Sequence, residues 1–234
     1  MILLCVVAGL VIGSWLNWLA DYLPRFTADR SLRNRPEPRF AFALGNFLAA
    51  GIFRRKTKNA IPRLDLGVEL LMAFLFAFAW ARDGWSLNFF LLVGIGAFYV
   101  LIALIDFKYR LIPNVLVFPA LAATLLVQFV APGTNLRAAI VGGAFGLVVF
   151  WLAAYVRPGE LGFGDVKLAA LIGWMLGFPN AVWALLIGVF AGGIAVLAFL
   201  LTRRGNLQTR IPYAPFLCLG ALSVFAFAPL LTIR

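Results

Sequence analysis

The sequence consists of long apolar runs separated by short polar or Gly/Pro breaks. The runs cover approximately residues 2–20, 66–81, 87–105, 113–130, 137–156, 166–178, 181–201 and 213–231. Because about 20 apolar residues in a helix span the hydrocarbon core of a bilayer, the pattern predicts about eight transmembrane helices. Only GFPN at 177–180 separates the sixth run from the seventh, so these two could instead form one bent, tilted element.

The segment between the first two runs has a different character. Residues 21–65 contain ten basic and four acidic residues, with one apolar run at 40–53. This run has 14 residues. At 1.5 Å per residue, a helix over it would be only about 21 Å long, which is too short to cross about 30 Å of hydrocarbon. We therefore expect 21–65 to be an extramembrane loop with an interfacial or re-entrant helix at 40–53.

Composition supports the membrane class. Hydrophobic residues make up 64% of the chain and the mean hydropathy is +0.99, whereas soluble domains are roughly 45–50% apolar. At 234 residues, the chain is predicted to be a single all-α integral membrane domain, 1–234, without a large soluble domain. The first charged residue is Asp21, so the first run is interpreted as a retained span and not as a secretory signal.

Basic residues are distributed unequally between the two sides of this topology. Seventeen Lys and Arg residues fall on one side and three on the other. The positive-inside rule then places loop 21–65 in the cytoplasm and both termini in the periplasm. Topology and contact with anionic membrane lipids explain the net charge of +11. Nucleic acid is not expected as a partner, because aromatic or motif support for it is absent.

Two aspartates lie at the ends of predicted spans. Asp106 closes the third span and Asp165 opens the sixth, and the topology places both at the cytoplasmic face. A carboxylate beside the hydrocarbon is costly and is often functional. Helices joined by short loops tend to be neighbours, so the two carboxylates are predicted to meet. The alternative is that Asp165 only caps the helix that follows it.

Several residues flank these aspartates. Gly162 and Gly164 allow close backbone approach and positive φ angles ahead of Asp165. Pro113 predicts an extended or turn conformation beyond Asp106, although proline is also common at helix starts. Lys108 and Lys167 could tune the acids, but basic residues at the inner interface are better interpreted as topology markers.

Two polar residues lie within the first two spans. Glu69, in the first turns of the second span, could shape the site, but an acid there also stabilises the helix dipole. Asn17, in the first span, is expected to hydrogen-bond another helix.

The absence of histidine narrows the possible chemistry. Without it, neither a Ser-His protease nor an HExxH metalloprotease can operate, so acids remain as the plausible catalysts. Cys5 and Cys218 lie far apart inside predicted spans, which indicates small core residues and no metal site.

Five segments of the chain resemble one family. LIDFKYRLIPN and the GFGD of GELGFGDVKLAALIGWMLG resemble the two catalytic segments of type IV prepilin peptidases, which are membrane aspartic proteases with a GxGD-type motif. GSWLNWLADYLP, LDLGVELLMAFLF and IPYAPFLCLGA resemble that family's N-terminal, second-span and closing segments, in the same order. The resemblance implies that Asp106 and Asp165 form a catalytic dyad, and Glu69 matches an acid in the second-span segment.

The resemblance also implies a substrate and a location. The expected substrate is a prepilin or pseudopilin, whose leader is removed at the cytoplasmic face of a bacterial inner membrane without a cofactor. Many family members carry two CxxC pairs in the cytoplasmic loop and also methylate the new N-terminus with S-adenosylmethionine. This loop has no cysteine, so S-adenosylmethionine is implied only if the methyltransferase activity is retained.

Two other interpretations remain open at this stage. A secondary transporter or channel could use the paired acids for ion or proton coupling, which predicts acids near the middle of the membrane. A non-catalytic assembly scaffold predicts that both aspartates are dispensable.

Overall fold

The computed structural model describes residues 1–26, 62–130, 135–156, 161–201 and 212–231. Over these residues the fold is all-α, with a 3₁₀ turn at Leu23–Phe26. The α-helices are α1 (Ile2–Tyr22), α2 (Pro62–Asp83), α3 (Leu87–Tyr109), α4 (Asn114–Val130), α5 (Leu136–Val156), α6 (Phe163–Leu176), α7 (Asn180–Leu201) and α8 (Ala214–Leu231). Each helix coincides with one apolar run, which confirms the predicted all-α membrane class. The helix expected at 40–53 lies outside the described residues.

Helix length separates the helices that could cross a membrane from the others. Among the described residues, five helices are long and apolar enough to cross a membrane, namely α1, α2, α3, α5 and α7. Helices α4 and α8 are apolar but shorter, over Asn114–Gln128 and Ala214–Phe227. Helix α6 has 14 residues and rises only about 21 Å. Eight membrane crossings therefore remain a prediction.

The chain divides into two compact units, Met1–Leu104 and Ile105–Arg234. In the first unit, α1 packs closely on α2, because a Cβ on Gly13 would lie 2.6 Å from the Cα of Glu69. Glu69 is fully buried in this interface, where its Oε1 accepts a hydrogen bond from the Ser14 hydroxyl. The Asn17 side-chain amide donates to the Asp65 carbonyl at 2.9 Å, so the predicted bond to another helix is confirmed.

The second unit is built on two close helix pairs. In the α5/α6 pair, a Cβ on Gly173 would lie 2.6 Å from the carbonyl carbon of Gly142. In the α7/α8 pair, a Cβ on Gly220 would lie 2.7 Å from the amide nitrogen of Gly188. Small residues let membrane helices approach to backbone contact in this way.

The sixth and seventh apolar runs form two separate helices. Helix α6 ends at Gly177, whose φ of +67° is a conformation that side chains with a Cβ rarely adopt. Helix α7 then begins at Asn180, so the alternative of one bent element is wrong.

Candidate active site

Asp106 lies in the last turn of α3 and is only 6% exposed. The helix ends directly after it, because Arg110 takes a left-handed conformation with φ of +54° while its N–H donates to the Asp106 carbonyl at 2.7 Å. The Asp106 carboxylate accepts a hydrogen bond at 3.2 Å from the backbone N–H of Ala214, the first residue of α8. The acid is therefore held between the end of one helix and the start of another.

Asp165 is the third residue of α6 and is half-buried. Its carboxylate accepts a hydrogen bond at 3.3 Å from the backbone N–H of Gly162, and its own N–H donates to the Gly162 carbonyl at 3.0 Å. The expected helix-capping role is therefore real. It does not exclude a second role, because a carboxylate has four acceptor positions on its two oxygens.

The two aspartates line one cleft of ≈ 250 Å³. Their negative charges interact, and the positive charge of Arg110 acts on Asp106. The other residues lining the cleft are Arg110, Leu111, Ile112, Asn114, Gly162, Gly164 and Lys167. The structure therefore places both acids in one cleft of the second unit, and direct contact between their carboxyl groups stays a prediction.

The glycines before Asp165 matter because they lack a side chain, and their backbone angles are ordinary. A Cβ on Gly164 would lie 3.1 Å from the Cβ of Ile112 in the α3–α4 connection, so the absence of a side chain lets α6 approach that connection. Gly162 has φ of −78°, and Gly164 is not among the described residues with positive φ. The positive φ angles that these glycines would allow are not adopted, and close approach of their backbone to a substrate strand stays a prediction.

Pro113 lies in the break between α3 and α4, as predicted. Its carbonyl accepts hydrogen bonds from the N–H groups of Leu116 and Val117 at 3.0 and 3.3 Å, which begins α4. Pro113 does not line the cleft, and neither do Lys108 and Glu69. Glu69 belongs to the α1/α2 interface of the first unit.

Lys167 is the flanking lysine that does line the cleft. Its ammonium donates to the Asn114 side-chain oxygen at 3.0 Å and lies 5.7 Å from the centre of the Phe118 ring. Both partners belong to α4, so Lys167 connects α6 to α4 across the cleft edge. Although the sequence suggested only a topology marker, this lysine has defined partners.

Replacing Lys167 by Met is expected to lower stability by about 1 kcal/mol, because one exposed hydrogen bond and one cation–π contact are lost. Turnover should stay within about threefold if the lysine only connects α4 to α6. Thermal unfolding in detergent, combined with Asn114→Leu in a double-mutant cycle, measures the coupling. An additive cycle would show that the Lys167–Asn114 contact contributes nothing to stability.

The segment 212–214 brings two residues to the aspartates that sequence reasoning did not single out. Ala214 supplies the N–H to Asp106. Tyr213, directly before Ala214, is half-buried, and its phenol is near enough to Asp165 to interact with it electrostatically. The available signal was Pro212, which breaks the chain immediately before the last apolar run.

Comparison with known proteins gives consistent matches. Residues 93–197, which contain both aspartates, match the Type IV leader peptidase family. A Bacillus subtilis protein named prepilin leader peptidase/N-methyltransferase is 33% identical, over 97% of this chain and 94% of its own length. Proteins of the same name from Pseudomonas aeruginosa and Burkholderia pseudomallei are 28% and 31% identical, over 94% and 95% of this chain and 88% and 84% of their own lengths. No solved structure matches the chain.

Proposed function

Since the chain belongs to the type IV leader peptidase family, we propose that it is a membrane aspartic endopeptidase that removes the leader peptide of prepilins or pseudopilins. The single observation that carries the mechanism is the cleft shared by Asp106 and Asp165. An aspartic protease uses two carboxyl groups in one site. In this cleft the negative charge of Asp106 acts on Asp165.

The reaction needs one proton shared between the two acids. Carboxylates held close together do not readily both ionise, so one is charged and the other is protonated. The charged member draws a proton from a water molecule as that water attacks the scissile carbonyl. The protonated member donates a hydrogen bond to the carbonyl oxygen and stabilises the negative charge that develops there. The proton belongs to the pair during the cycle, so the roles are not divided between Asp106 and Asp165.

The substrate must be extended where it is cut. A helix uses its own carbonyl groups as hydrogen-bond acceptors and surrounds them with side chains, which prevents attack by water. Asp106 lies at the end of α3 and Asp165 at the start of α6, so the cleft lies where helices end. That position suits a peptide that leaves its membrane helix at the cleavage site.

The proposed location is the cytoplasmic face of a bacterial inner membrane, with both termini in the periplasm. Support comes from the unequal distribution of Lys and Arg in the sequence. The basic segment 21–65 would then face anionic lipid headgroups on the cytoplasmic side.

Methyl transfer is a separate activity that the names of the relatives include. It would require S-adenosylmethionine as the methyl donor. Both cysteines are buried in helices, Cys5 in α1 and Cys218 in α8. The described residues do not identify a site for this cofactor, so methyl transfer stays a separate question from cleavage.

The test is to reconstitute the purified chain in lipid vesicles with a prepilin and to follow both products by mass spectrometry. We expect a leader peptide and a mature pilin, and the mass of the pilin shows whether its new N-terminus carries a methyl group. A parallel reaction with labelled S-adenosylmethionine measures methyl transfer directly. If the prepilin stays intact while a known prepilin peptidase cleaves it in the same vesicles, the peptidase proposal is wrong.

A further inference from the structure

The start of α8 has a single N–H group available to Asp106. The second residue of the helix is Pro215, which has no N–H. The N–H groups of Phe216 and Leu217 both donate to the carbonyl of Tyr213, at 3.1 and 3.4 Å. The N–H of Ala214 is therefore the donor of the first turn that is not used within the helix. It donates to the Asp106 carboxylate at 3.2 Å.

The residue before Ala214 is fixed by aromatic packing. The Tyr213 ring lies 6.2 Å from Phe150 of α5 and 6.5 Å from Phe216 of α8, measured between ring centres. On α7, a Cβ at Gly192 would lie 2.8 Å from the Tyr213 ring, so this glycine provides the space that the ring occupies. Three helices therefore determine where the Tyr213–Ala214 peptide unit lies.

We propose that Tyr213 and Ala214 are positioning residues of the dyad: the Ala214 amide orients the Asp106 carboxylate towards Asp165, and the Tyr213 ring holds that amide in place. This inference rests on the proposed peptidase function. The bond uses one acceptor position of Asp106 Oδ2 and leaves the other positions of the carboxyl group for water and for the shared proton. The N-terminus of α8 also favours a negative charge at this position.

A purely structural alternative is that Asp106 serves α8 by capping it. The two roles predict different consequences when the N–H is removed. Loss of a cap lowers stability and leaves turnover unchanged. Loss of a positioning contact lowers kcat and leaves substrate binding nearly unchanged, because the contact is needed for the chemical step.

The decisive variant is Ala214→Pro, which replaces the N–H by a ring carbon at the first helical position, where proline is well tolerated. Its matched control is Ala214→Gly, which keeps the N–H. Since a hydrogen bond to a charged group is lost, we expect Ala214→Pro to lower kcat about tenfold to a hundredfold with KM within about twofold. Ala214→Gly should retain kcat close to that of the parent. A folded Ala214→Pro protein with the parent's kcat overturns the proposal.

Tyr213 supplies a second pair of variants for the case in which Ala214→Pro does not fold. Tyr213→Phe keeps the ring and should retain kcat, whereas Tyr213→Ala removes the support of the peptide unit and should lower kcat by about tenfold. Equal kcat in these two variants overturns the proposal. All rates are measured in vesicles on proteins with an unchanged elution profile. Failure of the proposed function itself differs from these outcomes, because the parent chain would then leave the prepilin intact.

Discussion

Asp106→Asn and Asp165→Asn should each reduce prepilin cleavage by about 10³-fold or more, because each removes one half of the acid–base pair. Asparagine has nearly the same shape as aspartate, and its side-chain oxygen can still accept the N–H of Ala214 or of Gly162. The fold should therefore survive while the proton transfer is lost. Initial rates of leader release in vesicles measure the effect, and circular dichroism with thermal unfolding checks the fold.

Asp83→Asn is the matched control for these variants. Asp83 is an acid at the end of α2 that pairs with Arg82 at 3.0 Å and does not line the cleft. Its replacement should leave kcat unchanged. If both cleft variants cleave at the rate of the Asp83→Asn protein, the aspartates are dispensable and a scaffold role becomes the better explanation.

Gly173→Ala should be the most destabilising single methyl addition in the second unit. The new Cβ would lie 2.6 Å from the carbonyl carbon of Gly142 and 3.0 Å from the amide nitrogen of Gly143. Backbone atoms cannot rotate away as a side chain can, so α5 and α6 must separate. Overpacking of this kind costs up to about 3 kcal/mol. Because α6 carries Asp165, we expect cleavage to fall together with thermal stability.

The control for helix propensity and for the added methyl is Gly193→Ala in α7. No heavy atom lies within 4 Å of a Cβ built on Gly193, so its cleavage rate should match that of the parent, and its unfolding temperature should equal or slightly exceed the parent's because alanine favours the helix. Chemical unfolding in mixed micelles compares the two variants. If the Gly173→Ala protein were as stable as the Gly193→Ala protein, α5 and α6 would not be in backbone contact in the folded protein.

Most of the helical architecture could be predicted because bilayer chemistry leaves few choices. Apolar run length and Gly/Pro breaks place each helix within a few residues, and the break at Gly177 is real. Apolar run length predicts where a helix lies in the sequence, but it does not predict how far that helix extends across the membrane. Helix α6 was predicted as a crossing, but it has 14 residues and rises only about 21 Å, so this crossing stays a prediction. The sequence shows hydrophobicity, whereas the number of crossings also depends on tilt and packing.

The candidate site was predictable in its acids and not in its supporting contacts. Asp106 and Asp165 are conspicuous because charge is rare in an apolar chain. The Ala214 amide could not be recognised, because every residue except proline has a backbone N–H and only the fold selects the one that matters. Lys167 was interpreted as a marker because its partners Asn114 and Phe118 lie more than 45 residues away in the chain.

The bond between Asn17 and Asp65 has a consequence for evolution of the chain between them. It joins two positions 48 residues apart at 2.9 Å and, with the Ser14–Glu69 bond, fixes the register of α1 against α2. Once such ends are held, doubling the length of a flexible connection costs only about 0.6 kcal/mol. The connection can therefore be shortened, extended or replaced by an inserted module while the paired helices keep their register.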